Sequence, residues 1–180
     1  MREQTIASQH IYAGQVVRLR VDTVKADDGR VMQREIIEHA PVIGVIALDS
    51  DGNIILERQY RKPAEKELLE IPAGGSELGE TPEDAVRREM REETGYTPGF
   101  IEKLGQFYLA PGYSGELLYL FLVRDLAPSH LEAEDTADIS LVRVSKSEAL
   151  GLIKRGVIED GKSLAGLLLY FYVKGQLRAI

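Results

Sequence analysis

The chain of 180 residues contains no cysteine, and its three histidines are scattered along the sequence. The lack of cysteine excludes disulfide bonds and thiol chemistry. His10, His39 and His130 do not have the spacing of a zinc site, so we expect them to be structural or surface residues. Neither a disulfide-rich scaffold nor a zinc enzyme built on these histidines fits this sequence.

Long hydrophobic runs are also absent. The longest apolar run, at 164–173, is too short to span a bilayer and is expected to form a packed helix. The N-terminus, MREQTIASQHIYAG, contains no apolar core of a signal peptide. We therefore expect a cytoplasmic protein with no membrane partner.

Positive charge is scarce, because 22 lysines and arginines face 29 acidic residues and leave a net charge of −7. Broad nucleic-acid binding needs a basic surface, so we expect no nucleic-acid partner. A small anionic substrate held through metal ions and a few arginines remains compatible with this charge. The length and the 44% hydrophobic content indicate one well-packed domain with a small appendage.

The most informative segment is 74–96, which reads GGSELGETPEDAVRREMREETGY. Thr81 is suited to cap a helix, Pro82 to its first position, and Asp84 to the free N–H groups of its first turn. Gly95 is suited to end the helix in the left-handed conformation. The segment therefore predicts a helix over 82–94.

Two glutamates of this helix lie beside its buried face. Glu89 and Glu93 are four residues apart and flank the apolar stripe of Val86 and Met90. Two carboxylates in this position are costly unless a cation compensates them, and clustered oxygen ligands suit Mg²⁺ or Mn²⁺. The alternative is a solvated, charged helix that is stabilised by ion pairs four residues apart.

The segment also follows a longer pattern of fixed residues. With gaps of five, seven, one and one residues, these are Gly74, Glu80, Arg88-Glu89-Met90, Glu92-Glu93 and Gly95. The pattern resembles the Nudix box, with Tyr96 where an aliphatic residue is usual, and the chain resembles a Nudix hydrolase. The resemblance implies an α/β fold, in which a mixed β-sheet lies between helices (α/β/α) behind a small N-terminal antiparallel β unit.

The rest of the sequence supplies elements for such a fold. Alternating apolar residues at Val17, Leu19 and Val21, and turn residues at 27–29, predict the N-terminal β unit. Further strands are predicted at 31–38, 42–48, 54–61, 101–109, 117–123 and 139–144, and helices from the capping residue Ser145 to about 156 and over 162–173. We expect a dimerisation unit over 1–40 and a hydrolase domain over 41–180.

Features outside the box resemble the ADP-ribose pyrophosphatase branch of the family. Glu70-Ile71-Pro72-Ala73-Gly74 precedes the helix, and Pro111 lies 16 residues after Gly95. Relatives that cleave GDP-mannose or other nucleoside diphosphate sugars share these features. The resemblance implies metal-dependent hydrolysis of the pyrophosphate bond of ADP-ribose or a related nucleoside diphosphate sugar, with GDP-mannose and dinucleoside polyphosphates as alternative substrates.

The resemblance also implies roles for the box residues, with Mg²⁺ as the cofactor and Mn²⁺ as a possible substitute. The expected metal ligands are the Ala73 carbonyl, Glu89, Glu93 and Glu92. Glu80 lies before the helix and is within reach of the same cluster. Arg88 is expected to orient the glutamates, with a plain surface ion pair as the alternative interpretation.

The catalytic base has two candidate locations. In this branch a glutamate of the acidic loop before the last strand often takes the role, and here that loop reads EAEDTAD over 132–138. Glu134 and Asp135 are its candidates, and Glu92 in the helix is the alternative. A third interpretation is that the loop is merely polar.

Five residues are candidates for substrate binding: Arg61, Arg58, Glu70, Glu116 and Tyr113. Arg58 and Arg61 cannot share a face of one strand, and the resemblance favours Arg61 for the phosphates. Glu70 is a candidate for a ribose hydroxyl or a base edge, Glu116 for lining the site, and Tyr113 for stacking on a base. Glu70 and Glu116 are otherwise surface charges.

A non-catalytic nucleotide-binding module on the same fold is the alternative from another functional class. Such modules usually lack a box glutamate, whereas all of them are present here, which favours an enzyme. A homodimer is expected because the first 40 residues look too small to bury their own apolar face.

Overall fold

The computed structural model describes residues 2–133, 136 and 138–175. The chain divides into two compact units. The smaller comprises Met1–Pro41 and Phe107–Leu117, and the larger comprises Val42–Gln106 and Leu118–Ile180.

The smaller unit contains a three-stranded antiparallel sheet. Its strands, in spatial order, are β1 (Glu3–Ala13), β2 (Arg18–Ala26) and β3 (Val31–Glu38). The segment Phe107–Leu117 attaches to β3, since Ile37 N–H donates to the carbonyl of Tyr113 and its own carbonyl accepts from Gly115 N–H. All eleven residues of β1 are exposed, so this edge strand buries neither of its faces within the chain.

The larger unit is built on a mixed sheet of seven strands. These are β4 (Val42–Leu48), β5 (Ile54–Arg61), β6 (Lys66–Glu70), β7 (Ala73–Gly75), β8 (Tyr96–Tyr108), β9 (Leu117–Pro128) and β10 (Ser140–Val144). The main order is β10-β5-β4-β9-β8, while β6 pairs with β5 and β7 pairs with β4. The β4–β9 pair is parallel, whereas β5 is antiparallel to its partners β4, β6 and β10.

Helices cover both faces of this sheet. They are α1 (Pro82–Glu89), which continues into a π-helical turn (Met90–Thr94), α2 (Lys146–Lys154) and α3 (Gly161–Val173). Val45 of β4 packs in one buried cluster with Val86 and Met90. On the opposite face, Gly166 of α3 lies so close to Leu120 and Ile46 that an added Cβ would be 3.0 Å from Leu120 Cδ1. This arrangement confirms the fold class that the sequence predicts.

Burial on both faces explains why β4 has no polar residue, because successive side chains of a strand point to opposite faces. Each fully buried aliphatic side chain of this kind stabilises the fold by about 1.5–3 kcal/mol.

In the described ranges, no helix is long and apolar enough to cross a membrane.

Candidate active site

The helix that carries the motif begins as its sequence predicts. Thr81 caps α1 by accepting a hydrogen bond from Asp84 N–H at 3.2 Å, and Pro82 is its first residue. The predicted helix over 82–94 is present, and its last turn, Met90–Thr94, is π-helical. There the Met90 carbonyl accepts both from the Thr94 hydroxyl and from Gly95 N–H, and Gly95 is left-handed with φ of 75°. Such turns are frequent at functional sites.

Arg88 binds three of the box glutamates at once. Its guanidinium donates to Glu80 at 3.0 Å from two nitrogens, to Glu89 at 2.6 Å and to Glu92 at 3.0 Å. It also donates to the Gly75 carbonyl at 2.7 Å. Burial works against the charged form, but the bonds to Glu80 and Glu89 raise the pKa of Arg88 above its usual value. Arg88 is therefore a permanent cation that holds these carboxylates in place.

The Glu89 carboxylate lies directly on the backbone of Gly74. A Cβ at position 74 would be 2.0 Å from Cδ of Glu89 and 2.1 Å from its Oε1. Only a residue without a side chain allows this approach, since real Cβ atoms essentially never come within 3.0 Å of another heavy atom. The glycine of the motif is thus explained by close packing against a site carboxylate.

Glu93 lies against the start of β7, where Ala73 N–H donates to its Oε2 at 2.9 Å. Burial raises the pKa of Glu93 well above its usual range, and the negative charges of Glu57 and Glu89 add to this effect. The hydrogen bond from Ala73 and the positive charge of Arg61 oppose the shift without cancelling it. The structure therefore brings Glu93 together with Ala73, two residues that the sequence assigned to one metal site.

Glu57 belongs to the same cluster but was missed in the sequence. It lies in β5, is fully buried, and neither carboxylate oxygen has a hydrogen-bond partner in the described part of the chain. Burial raises the pKa of Glu57 to about 8, although the positive charge of Lys162 opposes the shift. Its position four residues before Arg61 was an available signal, because residues two or four apart share a strand face.

Two cations meet at a second buried glutamate. Arg61 donates to both oxygens of Glu70, at 2.9 and 2.8 Å, and Lys162 of α3 binds the same carboxylate and Asp160. Glu70 is only 1% exposed, and burial alone would raise its pKa, but these cations lower it below the usual value. Lys162 was also missed, because its sequence neighbours give no sign of a partner 92 residues away.

The remaining sequence candidates are Arg58, Glu116, Tyr113, Glu134 and Asp135. Arg58 is exposed on the face of β5 opposite to Arg61. Glu116 and Tyr113 belong to the smaller unit, where the Glu116 carbonyl accepts from Leu109 N–H and Tyr113 is 62% exposed. Glu134 and Asp135 fall outside the described residues, so the loop candidates for the base remain predictions.

The donor set fits a divalent cation. In the described ranges, no three His, Asp or Glu side chains already stand together as a ready-made metal site. However, Glu57, Glu89 and Glu93 are mostly buried and act on one another as negative charges, which disfavours three ionised carboxylates without a compensating cation. Their oxygens are the hard ligands that Mg²⁺ and Mn²⁺ prefer, and those of Glu57 make no hydrogen bonds.

Comparison with known proteins finds a matching family and several relatives. Residues 38–167 match the NUDIX domain family. The chain is 35% identical to the ADP-ribose pyrophosphatase of Bacillus subtilis, over 99% of this chain and 97% of that protein. It is 37% identical to the methanol dehydrogenase activator of Bacillus methanolicus, over 90% and 89% of the two chains. It is 29% identical to the GDP-mannose pyrophosphatase of Pectobacterium atrosepticum, over 96% and 93%.

A solved structure has the same fold. The crystal structure of an ADP compounds hydrolase superposes with a TM-score of 0.87 over 99% of this chain and 98% of that chain, at 20% sequence identity. At that identity the likeness supports the fold alone. The complete motif and the family match over 38–167 show that the chain belongs to the Nudix hydrolase family.

Proposed function

We propose that this protein hydrolyses the pyrophosphate bond of a nucleoside diphosphate sugar, with ADP-ribose as the first candidate and Mg²⁺ as the cofactor. The products would be a nucleoside monophosphate and a sugar phosphate. The observation that carries the proposal is the placement of Glu89 and Glu93, two largely buried carboxylates that Arg88 and the backbone of β7 hold in position. Nudix hydrolases generally need divalent metal ions, which these carboxylates suit.

The box residues would bind the ion and keep its ligands correctly oriented. Glu89, Glu93 and the Ala73 carbonyl are the proposed ligands, and Glu92 is a ligand of a second ion or the base. When bound, the divalent ion neutralises phosphate charge and lowers the pKa of a coordinated water. Arg88 keeps the carboxylates oriented, a supporting role whose loss typically costs about 10–100-fold in metal affinity or activity.

The cations at the end of β5 would bind the substrate phosphates. Arg61 uses Nε and Nη2 for Glu70, and its side chain is 36% exposed, so Nη1 is available to a phosphate oxygen. Both oxygens of Glu70 are engaged by Arg61 and Lys162, which favours a role in orienting Arg61 over a contact with a ribose hydroxyl. Positioned charge of this kind is the main source of catalysis in phosphoryl transfer.

Two alternatives have specific support. GDP-mannose is the second candidate substrate, because a protein named GDP-mannose pyrophosphatase matches nearly the whole chain. A regulatory role is the alternative from another class, since one relative is named for the activation of another enzyme. The complete set of box glutamates favours a hydrolase.

The direct test is a substrate panel with the purified protein and Mg²⁺ or Mn²⁺, read by chromatography of the products. The panel would contain ADP-ribose, GDP-mannose, UDP-glucose and diadenosine polyphosphates. Preferred release of AMP from ADP-ribose is the expected result. Preferred turnover of GDP-mannose would keep the reaction but change the substrate, and no turnover with either ion would favour the regulatory role.

The assembly proposed with this function is a homodimer formed through residues 1–40. Its support is β1, where Ile6, Ile11 and Tyr12 are 53%, 51% and 59% exposed on a strand with no buried residue. Sedimentation analysis at micromolar concentration should give twice the mass of 20.0 kDa, and a monomer would contradict the proposal. We also propose that the enzyme acts in the cytoplasm, which fractionation of the source cells would test.

A further inference from the structure

Glu57 is a buried acid of the cluster, and the Nudix motif does not account for its position. It lies in the middle of β5, directly opposite Glu70 in the neighbouring strand β6. Side chains at opposed positions lie on the same face about 5 Å apart, and like charges there are destabilising. Two fully buried glutamates face each other in this sheet, so a compensating charge is expected near each of them.

The compensation is uneven between the two. Glu70 accepts hydrogen bonds from Arg61 and Lys162. Lys162 also binds Asp160. The carboxylate of Glu57 makes no hydrogen bond in the described ranges, although the residue is completely removed from solvent. An ionised carboxylate in such a place is unfavourable without a partner.

The side chain of Glu57 lies on the face of β5 that packs against the helix of the motif. Ile55, two residues earlier on the same strand face, packs in one cluster with Val86 and Met90. Burial raises the pKa of Glu93, and the negative charges of Glu57 and Glu89 raise it further, so these three carboxylates are close enough to act on one another. Glu57 therefore lies beneath the two helical glutamates and not at a separate site.

We propose that Glu57 is an additional ligand of the divalent cation and completes, from the strand side, the donor set of Glu89 and Glu93. The inference rests on the proposed function, which supplies the metal. A ligand role accounts for two observations that the Nudix box does not explain. The buried carboxylate of Glu57 has no hydrogen bonds, and it lies opposite Glu70, whose charge is already neutralised. A carboxylate with two unoccupied oxygens is a suitable ligand for Mg²⁺ or Mn²⁺.

The test measures metal binding without substrate. The protein is stripped with EDTA, dialysed and titrated with Mn²⁺, and the free ion is followed by electron paramagnetic resonance. Glu57→Gln should bind Mn²⁺ at least about 10-fold more weakly than wild type, since even residues behind the ligands change affinity by 10–100-fold. Glu67→Gln, at an exposed position of β6, is the matched control and should bind like wild type.

Thermal unfolding separates a ligand from a structural residue. Without metal, Glu57→Gln should melt no lower than wild type, because the substitution removes a buried ionisable group that makes no hydrogen bond. Added Mn²⁺ should raise the melting temperature of wild type more than that of the variant, since at a given concentration a ligand that binds more tightly stabilises the folded state more. If Glu57→Gln does not fold, Glu57→Asp keeps the charge and should show an intermediate affinity.

The outcomes separate this inference from the proposed function. Wild-type Mn²⁺ affinity in Glu57→Gln, while the wild-type protein binds the ion, would overturn the ligand role and leave the function standing. A lower melting temperature of the variant than of wild type in EDTA would also overturn the ligand role, because the weaker Mn²⁺ binding would then follow from a destabilised fold. Absence of Mn²⁺ binding by the wild-type protein would overturn both.

Discussion

The contact between Gly74 and Glu89 gives a quantitative prediction. An alanine at position 74 would place its Cβ 2.0 Å from Cδ of Glu89, whereas ordinary contact begins at 3.4 Å. The carboxylate must therefore retreat by about 1.4 Å, and a misplacement of about 1 Å costs up to about 100-fold in rate. We expect Gly74→Ala to lower kcat/KM for ADP-ribose by about 100-fold and to weaken the binding of Mn²⁺.

The fold should tolerate this substitution. No left-handed φ is required at Gly74, and the obstacle to the new methyl group is the end of a flexible side chain. Replacing glycine with alanine also lowers the entropy of the unfolded chain, which stabilises by about 0.4–1 kcal/mol. The free energy of unfolding, measured with urea, should thus change by less than about 1 kcal/mol.

Two further variants make the test specific. Gly75→Ala is the control, because a Cβ at position 75 would meet nothing within 4 Å. Glu89→Asp, which shortens the side chain by one methylene, should restore part of the activity in the Gly74→Ala background, and a double-mutant cycle would measure this coupling. Wild-type kcat/KM in Gly74→Ala would refute the claim that the position of the Glu89 carboxylate matters.

Further predictions concern the charged residues around the cluster. Arg88→Lys should lower kcat/KM by about 10–100-fold, because an ammonium group cannot bind three carboxylates as the guanidinium fork does. Arg61→Ala should raise KM for ADP-ribose in steady-state assays, whereas Arg58→Ala, on the exposed face, should leave it unchanged. Glu70→Gln should lower the free energy of unfolding at pH 7 by about 2 kcal/mol. Breaking a fully buried ion pair costs about 3–5 kcal/mol, and the cost is smaller here because Arg61 is partly exposed. The pKa of Glu70 is lowered in the folded state. The difference in free energy of unfolding between wild type and Glu70→Gln should therefore be complete above the unfolded pKa of about 4.3, and it should disappear as the pH falls through the pKa of the folded state. Urea titrations at several pH values would show this dependence.

The elements that the sequence predicts well are those with local signals. The strands β3, β4 and β5 begin and end where their apolar patterns indicate, and α1 begins at the predicted proline. The π-helical turn was not predictable from periodicity, because it depends on two donors that share the Met90 carbonyl. The strands β6 and β7 were missed because one is rich in charged residues and the other has only three residues.

In the site, too, contacts between residues close in sequence were predictable and contacts between distant segments were not. The contacts of Arg88 follow from helical spacing and a nearby turn, so the expected pairing with the glutamates is visible in the sequence. Glu57 and Lys162 are placed by strand pairing and by a helix far along the chain, and neither has a local motif. Pairing between distant segments therefore determines the part of the site that sequence spacing did not reveal.

The most direct test of the account is the rate of ADP-ribose hydrolysis by wild type and Glu93→Gln at saturating Mg²⁺, with product identification. The account predicts AMP and ribose 5-phosphate from the wild-type protein, no reaction in EDTA, and a kcat at least about 100-fold lower in the variant. A folded Glu93→Gln protein that turns over ADP-ribose at the wild-type rate would contradict the assignment of catalysis to this cluster of glutamates.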